Sequence, residues 1–317
     1  MTRFAILAFV TLSLVDSPQT FDGRAAAFSI TFGGETASYR DLSMSVMPGA
    51  SLSLSASGPP GDYNVTSTGG VVSPSGPRQW RWLAPREAGA YDVRFDGPVA
   101  KDSDEDAITL HLFVMVPATE MRNGMLNGYR IGEYPARPLG GNPIYLPPAG
   151  FIEVTKSNQD TKVSPHFRLK QFLCKEDTSD RFPKYALIKA RLPIELEAVL
   201  ERVNALGHRV ETLHVMSGYR TPYYNRAIGD VPYSQHQWGS AADVFIDKSN
   251  RGVMDDLNHD GRIDVDDSRR LYDIIENLLT EPGSAKFQGG MGFYRATAAH
   301  PPFVHVDVRG TKARWAG

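Results

Sequence analysis

Two histidines and one aspartate in the second half of the chain are residue types that bind a catalytic zinc ion. His236 and Asp243 are seven residues apart, and Gly239 between them allows the tight turn that would bring an imidazole and a carboxylate together. His305 lies in an alternating apolar run further along the chain. Two imidazoles and one carboxylate from separate chain positions can bind zinc and leave a fourth position open for water. A lone histidine is more often a hydrogen-bonded polar residue than a ligand, so the prediction depends on the three residues together.

The segments around these residues resemble the zinc D-Ala-D-Ala carboxypeptidase and endopeptidase family, which cuts bacterial cell-wall peptides. The resemblance rests on Ser-Gly-Tyr-Arg at 217–220, the His-x-x-Gly-x-Ala-x-Asp pattern at 236–243, and His-Val-Asp at 305–307, with Arg-Trp at 314–315 behind it. It covers roughly residues 165–317. The resemblance implies that the two histidines and the aspartate hold zinc in a small α+β domain with an antiparallel sheet.

The same resemblance suggests which residues would assist hydrolysis. Zinc lowers the pKa of a bound water toward about 7 and polarises the scissile carbonyl, so no nucleophilic side chain is needed. In the family the arginine at the position of Arg220 stands near the substrate, where it could stabilise the oxyanion or grip a peptide carboxylate; a structural ion pair is the alternative. Many relatives carry an acid three residues before the last zinc histidine, where this chain has Pro302. Asp307 and His300 are therefore the catalytic candidates, and their alternatives are orientation of a ligand and a plain loop position.

An acidic segment at 256–267 has the pattern of a twelve-residue calcium loop. Oxygen-bearing side chains occupy loop positions 1, 3, 5, 9 and 12, Gly261 at position 6 allows a sharp turn, and a helix is predicted over 268–279. The predicted ligands are Asp256, Asn258, Asp260, Arg262 through its backbone carbonyl, Asp264 and Asp267. Because position 12 is an aspartate, where the commoner EF-hand has glutamate, the loop resembles that of dockerin-type modules. A solvated acidic loop is the alternative.

The first half of the chain predicts a different kind of domain. Short alternating runs such as 28–32 and 91–95 are separated by Gly, Pro, Ser and Asp, which is typical of strands with one buried face. We therefore expect two domains. The first is an all-β immunoglobulin-like sandwich at 28–118, as a spacer or binding module, and the second is the α+β zinc peptidase domain with an antiparallel sheet at 161–317. The Pro-, Gly- and Tyr-rich segment 119–160 is expected to be a linker or an arm packed on the second domain.

Composition excludes some classes of function and favours others. The chain has 34 Lys and Arg against 36 Asp and Glu, so a formal net charge of −2 gives no global positive field for nucleic acid or an anionic membrane. The single cysteine excludes an intramolecular disulfide framework and a cysteine-rich zinc cluster.

The N-terminal residues predict export. Residues 1–15 combine a basic start with an apolar run that is too short to span a bilayer, for which about 20 residues are needed. Residues 1–27 are thus expected to be a signal peptide, with a buried strand or helix as the alternative, and the protein a periplasmic or secreted bacterial peptidase acting on peptidoglycan peptides with zinc and calcium. The alternatives are a peptidoglycan-binding protein that retains zinc without hydrolysis, and a calcium-regulated structural protein with a vestigial site.

Overall fold

A computed structural model describes residues 21–98, 106–176 and 179–317. The described part is mostly β-structure in several sheets with few helices, which is compatible with a β-rich protein of two domains. Residues 1–20, and with them most of the expected signal peptide, lie outside the described residues, whereas the first strand already begins at Ala25. None of the described helices has the length and apolar character needed to cross a membrane.

Two sheets around a common hydrophobic core make up the first half. Their strands are β1 (Ala25–Phe32), β2 (Glu35–Tyr39), β3 (Asp41–Val46), β4 (Ser51–Ser57), β5 (Asn64–Ser67), β6 (Val71–Gly76), β7 (Gln79–Leu83), β8 (Gly89–Asp96) and β9 (Ala107–Val114). One sheet has the order β2-β1-β4-β7-β6 and the other β3-β9-β8-β5, with only the β3–β9 pair parallel among these neighbours. Alternation along β1 buries Phe28, Ile30 and Phe32. The immunoglobulin-like assignment of this half stays a prediction.

The connecting segment and the second half contain short strands and three α-helices among the described residues. The elements are β10 (Val116–Pro117), β11 (Met125–Leu126), β12 (Tyr129–Arg130), β13 (Gly150–Val154), β14 (Lys162–Ser164), β15 (Phe167–Arg168), β16 (Lys184–Ala186), α1 (Arg191–Ala205), β17 (His214–Ser217), α2 (Pro222–Ala227), β18 (Ala241–Phe245), α3 (Val265–Leu279), β19 (Gly290–Tyr294), β20 (Phe303–Asp307) and β21 (Ala313–Ala316). Helix α3 contacts β19, β20 and α1, and its apolar face is buried.

The largest sheet of the second half has the order β17-β18-β20-β19-β21. The expectation of a purely antiparallel sheet is wrong in one pair, because β19 and β21 are parallel. The reason is topological: the chain leaves β20, crosses to the far side of β19 and reverses its direction once. Strand β21 therefore runs against β20 and along β19, and the remaining neighbours are antiparallel.

Polar and apolar contacts join the two halves. Asp41 on β3 pairs with Lys162 on β14 at 2.7 Å, and Ser43 Oγ donates to the Val163 carbonyl at 2.9 Å. Ile194 of α1 packs into the core of the first half. The two sheets of the first half are therefore packed directly against the half that carries the sequence motifs.

Candidate metal centre

Three side chains converge at one buried point on the largest sheet. Asp243 on β18 is paired with His305 on β20, and side chains of directly paired residues lie on the same face. His236 reaches this point from the 3-10 turn Gln235–Trp238 before β18. Asp243 Oδ1 lies 2.9 Å from His305 Nδ1 and 3.2 Å from His236 Nε2, and the two nitrogens are 3.1 Å apart. One ligand atom from each residue lies within 4.8 Å of the others, so the group could hold a metal ion.

Gly239 determines the path of the chain between His236 and Asp243. It ends the 3-10 turn with φ at 65°, in the left-handed region that favours glycine. A Cβ at this position would lie 2.2 Å from the backbone oxygen of Leu187. The tight turn expected from the sequence is present, and a side chain here would displace the segment that carries His236.

Hydrogen bonds orient both imidazoles toward this point. His236 Nδ1 lies 2.7 Å from the Gly218 carbonyl, which can only accept, so Nδ1 carries the proton and Nε2 faces the other ligands. His305 Nε2 lies 3.2 Å from Asp307 Oδ2, which leaves Nδ1 facing inward. Tetrahedral zinc with bonds of about 2.0–2.1 Å has ligand atoms about 3.3 Å apart. The observed separations of 2.9 to 3.2 Å and the mixed nitrogen and oxygen donors fit such an ion.

Neighbouring charges keep the central carboxylate ionised. Burial alone would raise the pKa of Asp243, but His236, Arg220 and His305 hold it well below its usual value. Burial lowers the pKa of His236. Burial acts in the same direction on His305, yet hydrogen bonds and charges of Asp243 and Asp307 raise its pKa to about 9. An ionised carboxylate between two imidazoles is a donor set that suits a divalent metal.

Arg220 lies directly behind the ligand Asp243. Its Nε donates to Ser217 Oγ at 2.8 Å, its Nη1 to Asp230 Oδ2 at 2.8 Å, and its Nη2 to Asp243 Oδ2. This arrangement matches the ion-pair alternative more closely than a direct grip on substrate, because all three nitrogens have acceptors within the protein. Sequence analysis does not single out Asp230, since one acid in the loop after α2 carries no pattern.

Asp307 is buried, and its carboxylate is occupied by protein donors. Oδ1 accepts from the Gly290 N–H at 2.9 Å and from Arg309 Nε at 2.8 Å, while Oδ2 accepts from Arg309 Nη2 at 2.5 Å. Burial opposes ionisation, but His305 and Arg309 hold the pKa of Asp307 below its usual value. Of the two roles considered for this residue, orientation of His305 is the one that these contacts favour.

His300 lies in the loop between β19 and β20, beside the centre. Its Nδ1 is 2.9 Å from the Pro301 carbonyl, and its ring meets Phe303 edge to face with centroids 4.9 Å apart. Within residues 21–98, 106–176 and 179–317, none of its hydrogen bonds or ring contacts reaches the three converging side chains. His300 therefore packs against Phe303, which lies on the same strand as His305.

Aromatic residues of the Pro- and Gly-rich segment pack beside the turn Gln235–Trp238. Tyr134 Oη donates to the Gln237 carbonyl at 2.8 Å, and Trp238 Nε1 donates to the Leu146 carbonyl at 2.9 Å. The rings of Tyr134 and Trp238 also meet edge to face, with centroids 5.6 Å apart. These contacts attach the turn that carries His236 to the Pro- and Gly-rich segment.

Tyr294 is a residue near the centre that the sequence motifs do not point to. Trp315 Nε1 donates to Tyr294 Oη at 2.6 Å, and the indole ring lies 5.3 Å from the ring of His305. The sequence signal that could have pointed to Tyr294 is the run 290–294. It contains glycines and aromatic residues and lies one short loop before the motif that contains His305.

The acidic loop 256–267 is present, but its carboxylates bind the loop's own backbone. Asp256 accepts from the N–H groups of His259 at 2.7 Å and Gly261 at 2.8 Å. Asp260 accepts from the Arg262 N–H at 2.8 Å. These bonds stabilise a tight acidic turn.

Asp267 differs from the other acids of this loop because it is fully buried at the start of α3. Its carboxylate accepts from the N–H groups of Leu257 at 2.7 Å and Asp264 at 2.9 Å. In the part of the chain that the structure describes, His236, Asp243 and His305 are the only group of three or more His, Cys, Asp or Glu residues whose ligand atoms lie within 4.8 Å of one another. Calcium binding by the loop therefore stays a prediction.

Comparison with known proteins finds a family match for part of this half. A family model described as Peptidase M15 matches residues 165–263. The matched segment includes His236 and Asp243 and ends before His305. No curated protein matches the chain. The match supports the M15 zinc peptidase family for this segment, and with it a metallopeptidase-type function on a peptide substrate.

Proposed function

We propose that the protein is a zinc-dependent peptidase that hydrolyses D-Ala-type peptide bonds in bacterial peptidoglycan stem peptides or cross-links. The observation that carries this proposal is the buried group of His236, Asp243 and His305, with both imidazoles oriented by hydrogen bonds. The Ser-Gly-Tyr-Arg motif at 217–220 and the family match at 165–263 support it. A periplasmic or secreted location belongs to the same proposal, because peptidoglycan lies outside the cytoplasm.

The residues of the chain divide into two layers around this centre. His236, Asp243 and His305 would hold zinc, which when bound supplies Lewis acidity at the scissile carbonyl and a more acidic water. Arg220 holds the outer oxygen of Asp243, and Asp307 fixes the ring of His305. Partners of this kind keep ligands in one orientation and raise metal affinity.

Hydrolysis of defined muropeptides tests the proposal. The zinc-loaded protein is incubated with monomeric and cross-linked muropeptides, and the products are separated by liquid chromatography with mass spectrometry. We expect release of D-Ala or splitting of the cross-linked dimers, and loss of both in His236→Ala. His208→Ala, in the loop after α1, is the matched control and should leave the rate unchanged.

A peptidoglycan-binding protein without hydrolysis is the second candidate. Pro302 stands where many relatives have an acid, and the carboxylate of Asp307 is occupied by Gly290 and Arg309. Retained binding of muropeptides with no cleavage at any zinc concentration would support this candidate and contradict the enzyme.

A stabilising or regulatory calcium ion in the loop 256–267 is a further part of the proposal. The loop pattern supports it, and α3 follows directly and contacts β19 of the site sheet. A rise in melting temperature on addition of calcium, absent in Asp256→Ala, is the expected result. An unchanged melting temperature would contradict it.

A further inference from the structure

Tyr294 shares one face of the sheet with the candidate ligands. In the β19–β20 register, Gly292 is paired with His305 and Tyr294 with Phe303. Directly paired side chains lie on the same face, and this face also carries Asp243 through its pairing with His305. The ring of Tyr294 stacks on Phe303 with centroids 4.5 Å apart and an interplanar angle of 9°, which fixes the direction of the phenol.

Gly292 makes room for the indole that contacts this phenol. A Cβ at position 292 would lie 2.2 Å from Trp315 Nε1, so only a residue without a side chain lets the indole cross β19 here. Trp315 thereby reaches Tyr294 Oη at 2.6 Å while its ring stays 5.3 Å from that of His305. The indole thus bridges the candidate metal ligand and the phenol.

The direction of this hydrogen bond determines what Tyr294 can do. An indole N–H only donates, so the phenol oxygen is the acceptor and its own proton is available for another partner. Within the described ranges 21–98, 106–176 and 179–317, that proton has no hydrogen-bond acceptor in the protein. The side chain is half-buried, so its hydroxyl can meet a bound molecule. At the base of the residue, Ser268 Oγ lies 3.0 Å from the Tyr294 carbonyl and can donate to it.

The cationic side chains nearby are already paired. Arg220 directs its three nitrogens at Ser217, Asp230 and Asp243, and Arg309 is bound to Asp307. A neutral donor with a free proton is therefore the better placed group for charge that develops on a substrate oxygen.

We propose that Tyr294 is a catalytic residue that donates a hydrogen bond to the carbonyl oxygen of the scissile peptide bond, with Trp315 as its positioning residue. The inference rests on the proposed function. As water adds to the carbonyl carbon, the π electron pair of the carbonyl moves onto oxygen, and the phenol stabilises that charge without losing its proton. When the carbonyl re-forms, the C–N bond breaks and the leaving amine takes a proton that came from the water, so the products are one carboxyl group and one amine.

Two substitutions and two measurements test this role. Tyr294→Phe keeps the ring that stacks on Phe303 and removes only the hydroxyl, and Trp315→Phe removes the donor that fixes it. The first measurement is kcat and KM on a muropeptide. The second is the affinity, by calorimetry, for a phosphinate dipeptide analogue that mimics the tetrahedral species, compared with the affinity for the unreactive product peptide.

We expect Tyr294→Phe to lower kcat by about 100- to 1,000-fold, with KM, zinc content and product affinity unchanged and phosphinate affinity reduced. Trp315→Phe should have a smaller effect, about 10-fold on kcat. An active wild-type protein with an equally active Tyr294→Phe variant would overturn the inference alone. A zinc-loaded wild type that neither cleaves muropeptides nor binds the phosphinate would overturn the proposed function and this inference with it. Loss of thermal stability in Tyr294→Phe together with equal losses of product and phosphinate affinity would assign Tyr294 a structural role and also overturn the inference.

Discussion

The His-Asp-His centre and the acidic loop 256–267 have the same kind of sequence signal and different structures. Both combine oxygen or nitrogen ligands at spacings known from metal sites. In the centre, pairing of β18 with β20 brings Asp243 opposite His305, and the ligand atoms face one another. In the loop, the carboxylates of Asp256 and Asp267 accept hydrogen bonds from nearby N–H groups.

The difference shows what decides whether ligand residues form a site. The donors that orient His236 and His305 bind their outer atoms, at Gly218 and Asp307, and leave the inner atoms facing a common point. In the loop, the donors are backbone N–H groups of the loop itself. They donate to the carboxylate oxygens that would bind calcium. A carboxylate in a short acidic turn can always satisfy itself in this way, so spacing alone is a weaker predictor for the loop than for the centre.

Removal of a ligand should have the largest effect on the centre. His305→Ala deletes the imidazole that lies 2.9 Å from Asp243 Oδ1, and we expect hydrolysis to fall to the uncatalysed background together with zinc content. Asp256→Ala in the loop is the matched control and should leave zinc content unchanged. Metal analysis after dialysis, run beside the muropeptide assay, measures both. A variant that loses activity and keeps its zinc would argue that His305 is not a ligand.

Asp307→Asn should weaken the centre without deleting a ligand. The substitution removes the charge that holds His305 Nε2 and leaves Arg309 without its ionised partner. We expect zinc affinity to fall by about 10- to 100-fold. Competition with a zinc chelator gives this value. Unchanged zinc affinity with a strongly reduced kcat would instead assign Asp307 the role of general base.

Asp267→Ala tests the loop in the same way. This buried carboxylate accepts from the N–H groups of Leu257 and Asp264, and its loss leaves them unsatisfied. We expect the free energy of unfolding to fall by about 1–3 kcal/mol, with or without calcium. Denaturant unfolding in the presence of a calcium chelator and in excess calcium measures it. If the substitution lowers the free energy of unfolding only in excess calcium, Asp267 acts mainly as a calcium ligand.

His111 provides a cluster of similar composition in which no nitrogen is left for a metal. Its Nδ1 lies 2.7 Å from Asp92 and its Nε2 3.2 Å from Asp41, which also binds Lys162. Burial opposes protonation, but the hydrogen bonds to Asp41 and Asp92 raise the pKa of His111 to about 9.

This raised pKa gives a defined dependence of stability on pH. The protonated histidine stabilises the folded state fully below its ordinary pKa of about 6.5, and the contribution is lost as the pH rises through about 9. Its size should be about 3 kcal/mol, because each unit of pKa shift corresponds to about 1.4 kcal/mol. Denaturant unfolding measured between about pH 6 and 10 should show this loss of stability in the wild type and not in His111→Gln. Equal slopes in the two proteins would contradict the assignment.

Sequence patterns predict local elements and the convergence of His236, Asp243 and His305 well, and other long-range contacts poorly. The helix predicted over 268–279 is present as α3, which spans Val265–Leu279. Local patterns do not predict the hydrogen bond of Arg220 with Asp230 or that of Asp307 with Gly290. Each pair is brought together only by the tertiary structure. The parallel pair β19–β21 and the contact of Trp315 with Tyr294 depend on the same crossing of the chain, for which no local signal exists.

Anomalous diffraction at the zinc absorption edge tests the central claim most directly. Crystals grown with both zinc and calcium would reveal which of the two regions takes an ion. We expect one zinc peak between His236 Nε2, Asp243 Oδ1 and His305 Nδ1, and its disappearance in His236→Ala. A wild-type crystal with no zinc at this point, or with zinc only in the loop 256–267, would contradict it.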